Sequence, residues 1–200
     1  MQFDRSKFKE AVLYVISLCA PERLGAVKLN KILYFSDMLL YAWAGHPLTG
    51  ATYKKRPHGP TTDALLPALR DLQREGIIHV GKSDYFGYIK TVFTLRVSLS
   101  SLPSLHEDEK DLIREIADFV ANQNTAKTIS ELSHNLAWEM AEFGAELPYY
   151  SAFALFPTTV SEETIEWAKS KVDEIETSRA RQSTVDYKLL RDIRRSVPAN

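Results

Sequence analysis

Asn30, Tyr34, Asp37 and Tyr41 recur at i, i+4, i+7 and i+11 within Val27–Trp43, VKLNKILYFSDMLLYAW. At 100° per residue this spacing aligns an amide, two phenols and a carboxylate in one stripe along an α-helix. Such groups either pair with one another inside a core or offer a partner its anchors, since tyrosine buries a large area at low entropic cost. Neither role is covalent chemistry, and the rest of the chain supplies none. The five histidines, His46, His58, His79, His106 and His134, never fall at i, i+3 or i+4 from one another, as a helical metal motif would require. Glu107 and Glu109 beside His106 suit the first turn of a helix, where negative charge is favoured. Cys19, the single cysteine, excludes an internal disulfide and reads as a small core hydrophobe. There is no Gly-x-Ser-x-Gly elbow, P-loop or dinucleotide glycine pattern. The expectation is a protein that is not an enzyme, with no catalytic residues, no metal and no cofactor.

The stripe requires a helix to carry it. The other side of 27–43 presents Leu29, Ile32, Leu33, Leu39, Leu40 and Trp43, with Ser36 among them and Phe35 and Met38 at the flanks. A helix apolar or aromatic nearly all round is buried on several sides, so this is the expected central helix. Lys28 and Lys31 flank the stripe, and their charge suits a solvated helix face. Before it, Phe8, Ala11, Val12, Val15, Ile16 and Cys19 mark a first helix from Asp4, a plausible N-cap, to the stop at Pro21. The short turn at Gly25 makes the two helices antiparallel neighbours. After Gly45 comes a loop, 46–60, rich in proline and glycine, with one extended piece over 51–55. Thr61 or Thr62 is expected to cap a helix running to Glu75, with Leu65, Leu69 and Leu72 inward and Gly76 ending it. His58-Gly59-Pro60 fixes the approach to that helix and could hold the His58 ring against the central one, because glycine before proline is driven to extended backbone yet keeps φ values closed to other residues. Ile77–Val80 and Tyr85–Leu95 read as a hairpin around 81–84.

Residues 98–104, SLSSLPS, form a seam. Beyond it, 107–123 is helical with Leu112, Ile116, Phe119 and Val120 inward, and Thr128-Ile129-Ser130-Glu131 fits a capping box for a short helix through Trp138. Ser161 opens another helix with Ile165, Ala168, Val172 and Ile175 on one face. From about Arg179 the chain holds six basic residues against Asp186 and Asp192. The fold expected is α+β, mainly α: a compact helical domain around a central buried helix with one small hairpin, spanning 1–178, followed by a basic tail, 179–200. A net charge of −1 gives no general attraction to nucleic acid or membrane. No charged-then-apolar leader opens the chain, and no apolar run approaches the roughly 20 residues of a membrane span, so the expected location is cytoplasmic. Helix, hairpin and Thr-Leu strand end also outline a winged helix, hence an alternative reading as a DNA-binding transcriptional repressor. Against it, about sixteen residues separate the two helices, where a helix-turn-helix allows three or four. The charges of the second helix, moreover, are balanced where phosphate contact needs excess positive charge.

Three separated motifs carry a family resemblance. Lys28-Leu29-Asn30-Lys31-Ile32-Leu33-Tyr34-Phe35 resembles the K-L-x-K-L-L-Y-F signature of the Panacea domain, the domain of SocA-like antitoxins. Gly45-His46-Pro47-Leu48 is similar to its G-[KR]-P-L turn, and His58-Gly59-Pro60 to its [YH]-G-P step. Later, Glu131-Leu132-Ser133-His134 and Trp138 resemble the family's E-L-[ST]-H and P-W signals, with Ala137 in place of the proline. The likeness spans about residues 8–155. It implies a largely helical antitoxin, not an enzyme, that neutralises a cognate protein toxin by binding it. One branch of the family also delivers its toxin to an ATP-dependent protease, so the resemblance admits that second partner. On this reading Lys28, Asn30, Lys31, Tyr34, Asp37, Tyr41, His58, Gly59 and Pro60 centre the partner-binding site, and His134 and Trp138 close it from the second half.

Overall fold

The computed structural model describes residues 2–85, 87–99 and 101–155. These belong to one compact unit, Met1–Phe156; the helix expected from Ser161, the domain end at 178 and the basic tail lie outside the described residues. Helix α1, Arg5–Leu18, starts where Asp4 accepts the Lys7 amide (2.9 Å), as its N-cap position predicts. Helix α2, Ala26–Ala44, is the central helix and ends at Gly45, whose left-handed φ of 77° returns its N–H to the Tyr41 carbonyl. Its buried residues occupy most of its circumference. Trp43 departs from the expected inward face: it lies past the last enclosed turn and is 79% exposed.

The loop after α2 holds more order than its composition suggested. Strand β1, Tyr53–Lys54, and strand β2, Thr61–Thr62, pair antiparallel, and β5, Glu146–Leu147, pairs with the other edge of β1. The molecule therefore carries two small sheets, in the order β2-β1-β5 and β3-β4, where one hairpin was expected. Because Thr61 and Thr62 lie in a strand, α3 begins later than expected, at Leu65, and runs to Arg74. Thr62 still accepts a hydrogen bond from the Ala64 amide, at 3.2 Å. Leu65, Leu69 and Leu72 face inward as their spacing requires.

Strands β3, Ile78–Tyr85, and β4, Tyr88–Leu95, pair from Ile78↔Leu95 to Tyr85↔Tyr88. The turn lies at Gly87 and not at 81–84. Asp84 accepts the Gly87 amide (3.0 Å) and Gly87 takes a φ of 82°, so aspartate three residues before glycine was the stronger turn signal. Along β4, Phe93 is enclosed, but Ile89 near the tip is exposed.

The 98–104 seam is a connection inside the unit, not a boundary. Glu10 of α1 accepts both the amide (2.8 Å) and the hydroxyl (2.7 Å) of Ser104. Helix α4, Glu107–Ala117, opens with a capping box in which Glu109 accepts the His106 amide (3.0 Å), which accounts for the acids beside that histidine. The helix then widens into a π-helical turn over Asp118–Gln123. Ile113 and Ile116 point inward, Leu112 is half-buried, and the shifted register carries Phe119 outward. Two short helices replace the single one expected through Trp138. Thr125, not Thr128, caps α5, Ala126–Leu132, and Asn135 caps α6, Leu136–Met140. A 3₁₀ segment, Tyr149–Leu155, closes against α2.

Candidate functional site

The stripe along α2 forms a spine on which successive later segments are hung. Asn30 accepts the Thr62 amide at the start of the second turn (3.4 Å). Lys31 Nζ donates to the Pro60 carbonyl (3.0 Å). Tyr34 accepts from the Asn135 amide side chain (3.4 Å) and packs its ring edge-on against Tyr53 at 5.2 Å. Asp37 collects the Thr49 amide (2.6 Å) and hydroxyl (2.7 Å), the Gly50 amide (3.3 Å) and the Tyr53 hydroxyl (2.7 Å). Tyr41 meets the rings of Tyr149 and Phe153, at 5.6 and 6.3 Å. Reading up the helix, the rungs hold β2, the 59–60 step, the α5–α6 junction, the turn before β1 and the closing 3₁₀ segment.

This enclosure corrects the expected surface. Lys31, Tyr34 and Asp37 are 1%, 0% and 0% exposed, and Lys28 is buried as well, with its ammonium on the Ala121 carbonyl at 2.9 Å. The two lysines, read as solvated, are therefore tethers from α2 to main-chain oxygens. Asn30 and Tyr41 keep partial exposure. Burial perturbs the enclosed groups in the directions desolvation dictates. The Lys31 ammonium is lowered to about 7 and the Tyr34 phenol raised to about 12. Burial raises the Asp37 carboxyl above the usual carboxylate range, opposed by its four donors, and raises the Tyr53 phenol beside it.

His58 is exposed, so it is not the ring held against α2. Its neighbours Gly59 and Pro60 are buried, and His134, arriving from the second half, lies beside Gly59, with its Cδ2 3.2 Å from where a Gly59 Cβ would stand. His134 stacks on Trp138 with centroids 3.7 Å apart and planes 4° from parallel, and Lys55 Nζ lies 4.3 Å from the Trp138 ring centroid. His134 Nε2 and Trp138 Nε1 are enclosed without a hydrogen-bond partner among the described residues. Burial lowers the His134 imidazole, with the Lys31 charge adding to the effect. Gly59 is the floor of this junction. It takes a φ of 87°, and a Cβ there would come within 3.0 Å of both Ser133 Oγ and Lys31 Nζ.

That close approach makes a prediction. Gly59→Ala should cost about 2–4 kcal/mol, from the left-handed backbone and the displaced neighbours together. Gly45→Ala, equally left-handed at φ 77° but with nothing within 4 Å, should cost only about 1–2 kcal/mol. Equal losses for the two in urea unfolding would show that the junction tolerates a side chain.

Sequence reasoning missed Thr49, Tyr53, Ser133 and Asn135, all of which hold the site together. Asn135 had a readable signal, an amide residue three positions before Trp138 where a helix N-cap belongs; Trp138 N donates to it at 2.9 Å. Thr49 and Tyr53 had none, since only the folded loop brings them to Asp37. Among the described residues no three His, Cys, Asp or Glu side chains group as a metal site, and no helix is long and apolar enough to cross a membrane.

Several large apolar side chains stay outside the enclosure. Leu132, Leu136, Met140, Phe143, Tyr150 and Phe153 are each more than half exposed, and Leu136 and Met140 stand one helical turn apart on α6. Beside Tyr150, a groove of about 540 Å³ runs between Tyr41, Glu146 and Tyr149. The family model described as antitoxin SocA-like, Panacea domain, matches residues 29–139, from the first turns of α2 to α6. No curated protein and no solved structure matches the chain.

Proposed function

The chain belongs to the SocA-like antitoxin family of Panacea domains, which ties it to toxin–antitoxin systems, and from that premise we propose that it neutralises a cognate protein toxin by direct binding and without catalysis. The family match is the observation that carries this reading. The surface supports it: large apolar side chains rarely stand exposed in numbers along one segment unless a partner covers them. The proposed contact surface is the exposed row from Leu132 to Phe153, and the α2 stripe beneath holds that row in place. Tyr34 then acts on the toxin through Asn135, and His134 from within that segment, while Lys28, Lys31, Asp37 and Gly59 hold the neighbouring segments and Tyr41 reaches the surface itself.

Co-expression with the product of the adjacent gene tests this. The wild-type chain should restore growth and co-purify with that product. The double variant Leu136→Asp, Met140→Asp should keep its fold, with a stability change within about 0.5 kcal/mol because both side chains are solvated, yet lose rescue. Full rescue by the double variant would remove the row from the interface; absence of rescue by the wild type would remove the antitoxin reading. Delivery of the captured toxin to an ATP-dependent protease is a further arm of the proposal. It requires that rescue disappear in a strain lacking the protease while co-purification persists.

A further inference from the structure

The groove beside the exposed row has a definite chemistry. Tyr41 from α2 and Tyr149 and Tyr150 from the 3₁₀ segment line it with phenol rings, Pro148 and Leu147 complete the apolar wall, and Glu146 of β5 is the one charged residue among the described residues lining it. Tyr149 is fixed by its hydroxyl, which donates to the Ala51 carbonyl at 2.6 Å, and its ring lies 5.6 Å from that of Tyr41. Tyr150 is 69% exposed. Two of the three rings thus lie against each other and the third stands mostly exposed at the groove.

Glu146 makes no ion pair among the described residues. Its cross-strand neighbour Lys54 is committed elsewhere, to Asp63 at 2.9 Å. The other cations of that strand region are also engaged: Lys55 donates to the carbonyls of Glu139 and Ala141, both at 3.1 Å, and Arg56 reaches Asp63 at 3.5 Å. From Thr128 to Leu155 the chain has four glutamates, Glu131, Glu139, Glu142 and Glu146, and no lysine or arginine. The row offered to the toxin is therefore apolar and acidic, with a ring-walled recess at one end.

Ring faces carry negative potential and attract cations, arginine more often than lysine because its planar guanidinium also stacks. A carboxylate at the mouth accepts the charge-assisted hydrogen bonds that a guanidinium donates in its fixed fork geometry. We propose that the Tyr41–Tyr149–Tyr150 groove takes a cationic side chain, arginine before lysine, presented by the toxin on an otherwise apolar surface. This rests on the antitoxin reading for the identity of the partner but on the groove alone for the chemistry, and the two can be tested apart.

The first arm needs no toxin. The full chain is titrated with acetyl-Leu-Arg-Leu-amide and, separately, with acetyl-Leu-Glu-Leu-amide, following the aromatic proton resonances of Tyr41, Tyr149 and Tyr150. The arginine peptide should shift them and bind at least tenfold more tightly than the glutamate peptide. Glu146→Gln and Tyr150→Ala, both at exposed positions, should each weaken the arginine peptide about tenfold with an unchanged melt. Equal shifts from both peptides, or no shift, would overturn the proposal. In the second arm the Glu146→Arg chain is compared with wild type for capture of the adjacent gene product. A tenfold or greater loss supports the proposal. Undiminished capture overturns it while leaving the antitoxin reading intact. If the wild type captures nothing, the antitoxin reading and the toxin as occupant both fall, and the peptide titration still decides the chemistry of the groove. Dissociation of a homodimer by Glu146→Arg would make a second copy the occupant and overturn the assignment to a toxin.

Discussion

Asp37→Ala should destabilise the folded chain by about 3–5 kcal/mol, because several buried donors lose their shared acceptor at once. The cause is what remains after truncation. The Thr49 amide, the Thr49 hydroxyl and the Tyr53 hydroxyl are all buried, and each donates to the lost carboxylate within 2.7 Å. A buried donor left without an acceptor costs about 1–3 kcal/mol, and the three are close enough that their costs do not add fully. Asp37→Asn is the sharper probe. It keeps the volume and one acceptor oxygen, but turns an NH₂ group toward donors that need an acceptor, so it should recover less than half of the loss. Tyr53→Phe removes one donor together with its demand, and should cost only about 1 kcal/mol. The measurement is urea unfolding of all three, with the slope of the transition checked for constancy. An Asp37→Ala chain within 1 kcal/mol of wild type would mean that the loop from Thr49 to Tyr53 is not held by this carboxylate. The same variant would then become a fair probe of toxin contact, which the enclosed geometry otherwise denies it: a folded-state loss and a binding loss cannot be separated at a residue with no exposed surface.

The sequence was most readable where a local period or a local cap decides the outcome. The 3.6-residue spacing of Leu29, Ile32, Leu33 and Leu40 placed α2, and Asp4 and Gly45 marked helix ends that backbone geometry alone enforces. The polar-aromatic stripe was visible too, but its direction was not. A row of asparagine, tyrosine and aspartate has the same period whether it faces solvent, a partner or the rest of the chain. The deciding elements are two-residue strands, Tyr53–Lys54, Thr61–Thr62 and Glu146–Leu147, too short to show any alternation. They form because β1 receives β2 from a nearby turn and β5 from more than ninety residues away, a pairing that no window along the sequence contains. The lysines misled for a related reason. Charge predicts solvation only on average, and Lys28 and Lys31 each reach a carbonyl on another segment through a long apolar stem, which buries as readily as leucine. His58 stays outside because the Gly59-Pro60 step, legible as a tight approach, brings backbone rather than the preceding ring against α2. The glycine's function was legible; its neighbour's was not.

Lys31 makes the second large effect, and it is a pH effect. The ammonium is enclosed with one carbonyl acceptor, at Pro60, and burial lowers it from an ordinary value of 10.5 to about 7. In the unfolded chain the same amine stays protonated to about pH 10, so between those values the unfolded state binds the extra proton. Stability must then rise with pH across that window, approaching about 1.4 kcal/mol per pH unit for one proton. It should be flat in this group below about 7, where both states are charged. Other buried groups act elsewhere or in the opposite sense. His134, lowered from 6.5, adds a rise below neutrality. Cys19, raised from 9.0 to about 11, and the Tyr34 phenol, raised to about 12, turn the profile downward above pH 9. Lys28 and Lys90 are lowered as well and contribute in the same sense as Lys31. Between pH 7 and 9 the groups acting in the opposite sense are least active, and wild type should gain about 2–3 kcal/mol from Lys31 there. Lys31→Met removes the titrating group while keeping a flexible stem of similar length, and should abolish most of that gain. At pH 7 the substitution should be close to neutral, because relief from burying a reluctant charge offsets the loss of the Pro60 hydrogen bond. At pH 9 it should be less stable than wild type. Parallel profiles for the two chains between pH 7 and 9 would show that the Lys31 ammonium keeps its proton inside the fold, and that it is held there by more than a single carbonyl.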